Sequence, residues 1–363
     1  MKVVVAIDSL KGSLTSLEAG NAAKAGILTA IPDAEVVVKP LADGGEGTVE
    51  ALVEGMGGTY EKVTVTGPLG SEVEARYGIM KDGKTAVMEM AEASGLSLVD
   101  RKALNPWKAS TVGVGQLLKD AIRKGCRNFI IGIGGSATTE GGIGMLSALG
   151  YEFYDEEGEI LSPVFNSLEK IEHISDKNVI PELKNCHFQI ACDVTNPLCG
   201  DNGAVYIYGP QKGVKAEERQ TMDEMMSHYA SVVSNFVGED YSNMSGAGAA
   251  GGLGFAFRSF FNNVELKSGI AIVLEAIGIE KELTDADIVV TGEGKLDSQT
   301  ANGKVPVGVA RLAKQYHCKV IAFAGSVTDD AASCNEAGID AFFPILRSVC
   351  TLDEAMDSAV AKK

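Results

Sequence analysis

Short apolar runs rich in β-branched residues recur along the chain, and most are followed by a loop that carries glycine. The runs are KVVVAI (2–7), EVVVKP (35–40), RNFIIGIG (127–134), HFQIACD (187–193), ADIVVTG (286–292), KVIAFAG (319–325) and DAFFPIL (340–346). Runs that are apolar throughout are typical of parallel strands covered by helices on both faces. Stretches with a helical pattern lie between them, and one over residues 16–30 begins with a capping-box pair, Thr15 and Glu18. The sequence therefore predicts an α/β fold with parallel sheets.

A different pattern occupies residues 61–90. Apolar and polar residues alternate there around GPLG and KDGK, which is typical of antiparallel hairpins. A chain of 363 residues is also too long for one ordinary hydrophobic core, so we expect two domains. We predict one α/β domain built from residues 1–60 plus 285–363, and an inserted α/β domain with hairpins over residues 61–284.

The net charge of the chain restricts its partners. Asp and Glu number 49 against 32 Lys and Arg, which gives a formal charge of −17 and no basic excess for a phosphate backbone. A nucleic-acid partner is therefore not expected, whereas a small anion in a locally positive pocket is compatible with this charge. The first ten residues lack a signal-peptide pattern, and no apolar stretch approaches the roughly 18 residues of a membrane span.

The seven cysteines are scattered and the four histidines do not cluster. Neither a disulfide scaffold nor a zinc site is expected, and reduced thiols in the cytoplasm are the ordinary interpretation. Cys192 and Cys199 flank Asp193 without a nearby histidine, so packing is the better interpretation of both. The helical spacing of Met and aromatic residues over 221–236 likewise favours a core helix.

Residues 78–85, GIMKDGKT, match the letters of a P-loop. A working P-loop needs a preceding strand and a following helix whose N-terminus receives phosphate. Both flanks of this segment favour strands, and KDGK is a good tight-turn sequence. We therefore predict a hairpin here.

Residues 132–137, GIGGSA, match the relaxed dinucleotide-binding fingerprint, and Asp155 lies at about the spacing expected of the ribose-binding carboxylate. However, SATTEGG extends the loop, so the next helix is expected to begin near Gly141 and Gly142 rather than at Ser136. A longer loop with hydroxyl groups is better suited to phosphate or metal–phosphate binding than to a tight pyrophosphate turn.

Loops with glycine beside carboxylate, lysine or hydroxyl groups recur at the ends of the predicted strands. Glycine is in excess, 43 residues where average usage gives about 25. Glycine allows backbone N–H groups to approach an anion, lysine supplies positive charge, and carboxylates hold Mg²⁺ or orient a hydroxyl group. These parts suit phosphoryl transfer. The loops are DSLKGSLT, LADGGEGT, GIGGSATTEGG, ACDVTNPLCG, YGPQKG, SGAGAAGGLG and TGEGKLDSQTANGK.

In these loops and their flanks the chain resembles the bacterial glycerate kinase family of the first type. The motifs include DSLKGSLTS, PLADGGEGT, MEMAEASGL, GIGGSATTEGGIGMLSALG and TGEGKLDSQTANGKVPVGVA, and they run essentially end to end. The resemblance implies ATP- and Mg²⁺-dependent phosphorylation of D-glycerate, usually at the 2-hydroxyl group to give 2-phosphoglycerate. It also implies two α/β domains, one flavodoxin-like, with the active site in the cleft between them. This chain carries Thr139 and Glu140 where family members commonly have Asn and Asp.

Roles for individual residues follow from residue chemistry and loop position. Lys11 and Lys295 are expected to bind phosphate or the substrate carboxylate, and Asp193 to orient or deprotonate the acceptor hydroxyl group. Asp8 and Asp43 are candidates for the metal site or for an alternative base. The remaining candidates are Gly134, Gly135, Ser136, Gly292, Gly294 and Lys295 for the ATP phosphates, Ser9, Lys11, Asn196 and Asp297 for the substrate, and Glu140 for the metal.

Other functions remain open at this point. The same groups would serve phosphorylation at the 3-hydroxyl group with the substrate rotated in its pocket. An NAD-dependent hydroxy-acid dehydrogenase using residues 132–137 and a non-catalytic ligand-binding protein are further alternatives. For the kinase we expect the small-molecule partners ATP and D-glycerate, no nucleic-acid or membrane partner, and a monomer or homodimer.

Overall fold

The computed structural model describes residues 1–10, 12–45, 47–301, 303–346, 351 and 353–354. The chain divides into two compact units: unit 1 comprises Met1–Gly58 and the chain from Gly269 onward, and unit 2 comprises Thr59–Ser268. Residues 269–284, which the sequence pattern assigned to the inserted segment, group with unit 1. The reason is that a helix at Gly269–Ala276 packs there against the helices Thr48–Met56 and Val305–Gln315.

Strands alternate with helices over most of the described chain. In chain order the strands are β1 (Lys2–Ile7), β2 (Glu35–Val38), β3 (Thr59–Thr66), β4 (Glu72–Ile79), β5 (Thr85–Glu89), β6 (Asn128–Gly132), β7 (Glu152–Tyr154), β8 (His173–Ser175), β9 (His187–Ala191), β10 (Val264–Lys267), β11 (Ile288–Leu296), β12 (Lys319–Val327) and β13 (Ala341–Pro344).

The helices include several of a single turn. They are α1 (Ser16–Ala30), α2 (Thr48–Met56), α3 (Ala91–Ser94), α4 (Val112–Arg123), α5 (Ile143–Ala148), α6 (Ala204–Tyr208), α7 (Arg219–Val237), α8 (Leu253–Phe260), α9 (Gly269–Ala276), α10 (Glu280–Leu283), α11 (Ser298–Ala301), α12 (Val305–Gln315) and α13 (Ser333–Glu336). Short 3₁₀ segments occupy Leu96–Leu98, Phe165–Lys170, Pro181–Asn185, Pro210–Lys212, Ala216–Glu218, Ala249–Gly251 and Asp329–Ala332. Within the part of the chain that is described, none of the helices is long and apolar enough to cross a membrane.

Unit 1 contains a five-stranded sheet in the order β13-β12-β11-β1-β2, with every neighbouring pair parallel. Counted within the unit and read from β2, this is the strand order 2-1-3-4-5 of flavodoxin-like folds. Helices α1 and α12 pack against β1, and Val3, Val4 and Val5 of that strand are buried. The expected flavodoxin-like α/β unit is confirmed.

Unit 2 contains a mixed sheet in the order β10-β9-β6-β5-β4-β3. Strands β10, β9, β6 and β5 are parallel, and β4 is antiparallel to both β5 and β3. Phe129 of β6 and Phe188 of β9 stack with ring centroids 5.1 Å apart, and Phe188 also stacks on Phe261. A separate antiparallel pair, β7 and β8, completes the strands of this unit.

The segment that matches the P-loop letters is a hairpin turn, as predicted. Strands β4 and β5 pair antiparallel, with Ile79 opposite Ala86. Between them Gly83 has φ +65°, and the Asp82 carboxylate accepts hydrogen bonds from the backbone N–H groups of Lys84 and Thr85. A strand rather than a helix follows Lys84, so the segment lacks the helix N-terminus on which a P-loop depends.

The dinucleotide fingerprint also lacks its structural context. The loop after β6 continues to Gly142, and α5 begins only at Ile143, as the sequence predicts. Asp155 lies in the turn after β7, where its carboxylate accepts hydrogen bonds from the backbone N–H groups of Glu157 and Glu159. It is therefore a turn residue rather than a ribose-binding carboxylate at the end of a parallel strand.

Strand β11 is longer than the sequence predicted. The prediction was a strand that ends at Gly292 and a loop beyond it. Strand β11 continues to Leu296 and pairs with β12, with Glu293 opposite Ala324. Any β-carbon at Gly292 would lie 2.2 Å from the carbonyl oxygen of Phe323. Gly292 and Gly294, which were expected in a phosphate-binding loop, therefore lie inside the sheet, where glycine permits close approach of the neighbouring strand.

Two helix predictions are confirmed. Thr15 caps α1 and forms the reciprocal capping box with Glu18. Helix α7 buries Met222, Met225 and Tyr229, so the Met and aromatic residues of this segment belong to the core.

Candidate active site

The carboxyl ends of β1 and β11 lie side by side in unit 1. Strand β2 is on the other side of β1, so the strand order reverses at this point, which is where ligands bind in open α/β sheets. Asp8 follows β1 directly, and its backbone N–H donates to the carbonyl oxygen of Gly292 at 2.9 Å. The Asp8 carboxylate accepts a hydrogen bond from the Ser9 N–H at 2.7 Å. Asp8 and Ser9, two predicted site residues, therefore lie at the switch point of the sheet.

Glu293 is a buried carboxylate on β11. It lies in the motif TGEGKLDSQTANGK, but the sequence analysis predicted no role for it. The Thr300 hydroxyl donates a hydrogen bond to Glu293 Oε1 at 2.5 Å. Burial is the main cause that raises the pKa of Glu293, and the charge of Asp43 acts in the same direction. The Thr300 hydrogen bond and the charge of Lys304 act against this rise. Glu293, Asp43 and Lys304 are therefore electrostatic neighbours.

The loop that carries Asp43 is fixed against α9. The Asp43 carboxylate accepts a hydrogen bond from the Gly45 N–H at 2.9 Å. A β-carbon at Gly269 would lie only 1.9 Å from the Asp43 carbonyl oxygen, so glycine alone fits at that position. This contact holds the Asp43 loop in place within unit 1.

Lys295 and Asp297 form an ion pair at the end of β11, with Nζ and Oδ2 3.0 Å apart. Lys295 is exposed, but the Asp297 carboxylate also accepts hydrogen bonds from the backbone N–H groups of Gln299 and Thr300. The Lys295 hydrogen bond is the main cause that lowers the pKa of Asp297. Asp297 is thus an ionised cap of α11, while the predicted residue Lys11 lies outside the described residues.

In unit 2 the loop after β6 is exposed at its tip and buried beyond it. Gly134 and Gly135 are exposed, whereas Ser136 is 4% exposed and every residue from Ala137 to Gly142 is buried. The Gly135 carbonyl accepts a hydrogen bond from the Leu96 N–H, and the Ala137 N–H donates to the Ser94 carbonyl. Of the three residues predicted to bind phosphate in this loop, Gly134 and Gly135 are therefore open to solvent, and Ser136 is buried next to them.

Lys212 lies beneath this loop and is 1% exposed. Its ammonium group donates to Ser136 Oγ at 2.7 Å and to the Thr138 carbonyl oxygen at 2.5 Å. Burial lowers the pKa of Lys212, and the charge of Glu140 opposes this effect. The sequence motif YGPQKG contained Lys212, but its burial could not be read from the sequence, since lysine is almost always exposed.

Glu140, a predicted metal candidate, is also buried, at 1% exposure. Its Oε1 accepts hydrogen bonds from the Thr111 N–H at 2.7 Å and from the Thr111 hydroxyl at 2.5 Å. Burial raises the pKa of Glu140 to about 7, although the hydrogen bonds from Thr111, Gly142 and Ile143 act against this. Its carboxylate thus anchors the start of α4 and α5 and does not lie on the exposed tip of the loop.

Asp193 and Asn196 follow β9 in unit 2. Asp193 is exposed beside the carboxyl end of that strand. The Asn196 side chain, predicted to bind substrate, donates to the Asn202 carbonyl at 2.8 Å and accepts from the Tyr208 hydroxyl at 2.6 Å. Asn196 therefore shapes its own loop, while Asp193 is presented to solvent.

Few carboxylates are grouped together for a divalent cation in the part of the chain that the structure describes. The described residues contain no group of three or more His, Cys, Asp or Glu side chains that could hold a metal ion. Mg²⁺ in kinase sites usually takes one or two protein carboxylates and completes its coordination with waters and substrate phosphates. Asp43 and Glu293, whose charges interact, fit that smaller requirement.

Comparison with known proteins identifies the family. The model of the glycerate kinase family matches residues 3–362. The chain is 48% identical to the glycerate 2-kinase of Escherichia coli K12 over 359 residues, which is 99% of this chain and 94% of that protein. It is 44% identical to the glycerate kinase of Bacillus subtilis 168 over the same shares of both chains. This α/β protein therefore belongs to the glycerate kinase family.

A solved structure shares the whole fold. The crystal structure of a protein named glycerate kinase 2 from Salmonella typhimurium LT2 superimposes with a TM-score of 0.92. The match covers 100% of this chain and 94% of the Salmonella chain, and the two sequences are 43% identical.

Proposed function

We propose that this chain is a glycerate kinase that transfers the γ-phosphoryl group of ATP to the 2-hydroxyl group of D-glycerate, giving 2-phosphoglycerate and ADP. The observation that carries the proposal is the 48% identity, over 99% of the chain, to a protein named glycerate 2-kinase. The dehydrogenase alternative is disfavoured, because the fingerprint segment runs through a long loop before α5 begins.

The loop after β6 is our candidate for phosphate binding. Gly134 has no atom within 4 Å of where a β-carbon would be, so a ligand oxygen has access to the backbone there. The exposed Gly134–Gly135 tip and the adjacent Ser136 hydroxyl are groups of the kind that bind phosphate oxygens in kinases.

Asp193 is our candidate for the group that accepts the proton of the acceptor hydroxyl. It is exposed and lies just beyond the carboxyl end of β9. Lys295 and Lys11 are proposed to bind phosphate or the glycerate carboxylate. Lys295 has an exposed ammonium group held by Asp297, which leaves donors of the ammonium available to an anion.

Asp43 and Glu293 are proposed to hold Mg²⁺ in unit 1, with Asp8 nearby at the end of β1. Mg²⁺ bound with ATP would neutralise charge on the β- and γ-phosphates. The protein residues would supply at most two carboxylate ligands, and the Thr300 hydrogen bond would favour the ionised form of Glu293 against the effect of burial on its pKa.

We further propose a cytoplasmic enzyme that acts on small molecules as a monomer or homodimer. The thiols support the compartment, since Cys126, Cys186, Cys192, Cys199, Cys318 and Cys334 are all free.

A coupled assay tests both the reaction and its position. The protein is supplied with MgATP, D-glycerate and enolase, without phosphoglycerate mutase, and phosphoenolpyruvate and ADP are measured. Formation of both identifies the 2-phosphate product. Release of ADP without phosphoenolpyruvate would mean transfer to the 3-hydroxyl group, and reduction of NAD by glycerate without ADP would overturn the kinase proposal.

A further inference from the structure

Lys212 is a charged side chain in a buried position. A buried ammonium group is costly unless it is paired. The two hydrogen-bond partners of Lys212, Ser136 Oγ and the Thr138 carbonyl, are uncharged, and the charge of the buried Glu140 only partly opposes the effect of burial on the pKa of Lys212. Apolar residues of similar size often replace such buried charges without loss of stability. A functional role of the ammonium group would act through the two groups that it contacts, the Ser136 hydroxyl and the Thr138 carbonyl.

The backbone next to Ser136 is also held by hydrogen bonds that do not involve Lys212. Hydrogen bonds to the segment 94–96 fix it on both sides, through the Gly135 carbonyl and the Ala137 N–H, and these bonds measure 2.8 and 2.9 Å.

Lys212 contacts the backbone of this loop at the Thr138 carbonyl, and its one side-chain contact in the loop is the Ser136 hydroxyl group. In its protonated form, which the charge of Glu140 favours, Lys212 has three donors and no acceptor. Ser136 Oγ then accepts the bond and directs its own hydrogen elsewhere.

The Ser136 hydroxyl hydrogen has no acceptor among the residues that the structure describes, although the side chain is 4% exposed. Its chain neighbours Gly134 and Gly135 are open to solvent. A hydroxyl group that is forced to donate and adjoins an exposed glycine pair is arranged for an anionic oxygen.

We infer that Lys212 is a positioning residue for nucleotide binding: it holds the Ser136 hydroxyl group as a hydrogen-bond donor to a phosphate oxygen of the bound nucleotide. This inference rests on the proposed function, because it requires that the loop after β6 binds phosphate. Lys212 itself does not touch the ligand and acts through Ser136.

The test is a double-mutant cycle on MgATP binding, measured by isothermal titration calorimetry without glycerate. Ser136→Ala removes the donor, and Lys212→Met removes the ammonium group but keeps the length of the side chain. We expect each substitution to raise the Kd for MgATP about tenfold, the size of one charge-assisted hydrogen bond. The double variant should bind no more weakly than the weaker single variant, because both remove the same interaction.

The matched control is Lys215→Met, which removes an exposed lysine three residues further along the chain and should leave Kd unchanged. Steady-state kinetics separate positioning from general damage. In Lys212→Met the KM for ATP should rise while the KM for glycerate stays within about twofold, because only one phosphate contact is lost. Thermal melting should show that the variant remains folded.

Additive effects of the two substitutions, or an equal rise of both KM values, would overturn the inference. If Lys212→Met does not fold, the Ser136→Ala variant alone tests the inference. An unchanged Kd of Ser136→Ala for MgATP then rejects it. The wild-type protein tests the proposed function separately. If the wild type turns over glycerate and Ser136→Ala has an unchanged Kd for MgATP, only the inference is rejected. If the wild type binds MgATP but does not turn over glycerate, only the proposed function is rejected.

Discussion

Gly251 and the carbonyl group of Thr138 are in such close contact that no other residue fits at position 251. A β-carbon there would lie 2.2 Å from the Thr138 oxygen, and Gly251 has φ +70°. The Gly251 carbonyl also accepts a hydrogen bond from the Gly141 N–H at 2.9 Å. Two glycine-rich loops, 134–142 and 245–254, are thereby packed backbone to backbone within unit 2.

Gly251→Ala is therefore expected to lower the free energy of unfolding by about 2–4 kcal/mol, combining a steric clash with a strained positive φ. Gly238→Ala is the matched control, because Gly238 has φ +84° but no atom within 4 Å of an added β-carbon. Gly238→Ala should lower the free energy of unfolding by only about 1–2 kcal/mol, the energy of the positive φ without a clash. Urea denaturation of both variants measures the difference, and equal losses would show that the clash is relieved by movement of the loops.

Thr300→Val is expected to move the acidic limb of kcat/KM to higher pH. The Thr300 hydroxyl hydrogen bond lowers the pKa of Glu293, so its removal leaves burial to raise that pKa further. If Glu293 must be ionised for turnover, a larger fraction of enzyme is then inactive at a given acidic pH. Thr85→Val is the control, because it removes a comparable bond to Asp82 in an exposed hairpin turn and should leave the profile unchanged. An unmoved limb in Thr300→Val would show that the ionisation of Glu293 does not govern activity.

Asp193→Asn is expected to lower kcat by a factor of about 10² to 10⁴, the usual effect of losing a general base. The variant keeps the size of an exposed side chain, so the fold should be unaffected. Asp201→Asn makes the same chemical change at another exposed aspartate and should retain full turnover. Initial-rate measurements at saturating ATP and glycerate compare the two, and activity of Asp193→Asn within about tenfold of wild type would remove Asp193 from the mechanism.

The buried carboxyl group of Glu140 predicts a pH dependence of stability. Burial raises its pKa from 4.5 to about 7, so between these pH values the folded protein holds a proton that the unfolded chain has lost. The contribution of Glu140 to stability therefore falls as pH rises through this window and is constant above it. A shift of this size corresponds to roughly 3 kcal/mol.

Glu140→Gln should lack this part of the pH dependence. The stability of the variant relative to wild type should increase by about 3 kcal/mol between pH 5 and pH 8 from the loss of the Glu140 titration. Loss of the Glu140 charge also lowers the pKa of Lys212 further, which changes the relative stability in the same direction. Denaturant titrations at the two pH values measure it. Glu239→Gln, at an exposed position, is the control. A constant difference between Glu140→Gln and wild type would mean that Glu140 stays ionised in the folded protein.

The strands and helices whose signals are local could be predicted from the sequence. The apolar run at 2–7 and the Thr15–Glu18 capping box define β1 and the start of α1, and KDGK defines the turn between β4 and β5. The flavodoxin-like order of unit 1 and the family itself also followed from the sequence, through long motifs that run end to end.

Other features depend on residues far apart in the chain. Glycine at position 292 looked like the end of a strand, but its role is to let β12 approach, and the partner backbone lies at Phe323. Glu140 was predicted as a candidate metal ligand in a glycine-rich loop, yet its carboxylate is buried and accepts hydrogen bonds from Thr111, 29 residues earlier in the chain. Neither contact leaves a local pattern that a sequence could reveal.

The sequence by itself determined the α/β class, the hairpins, the glycine-rich loops and the family, because periodicity, turn chemistry and motifs are encoded in neighbouring residues. Only the tertiary structure decided which polar groups of those loops are buried and which face solvent. Lys212 shows why: its ammonium group meets Ser136, 76 residues away, and burial changes its chemistry from a mobile surface charge to a fixed donor. Burial and pairing are properties of the folded chain, since they depend on which distant segments exclude water together.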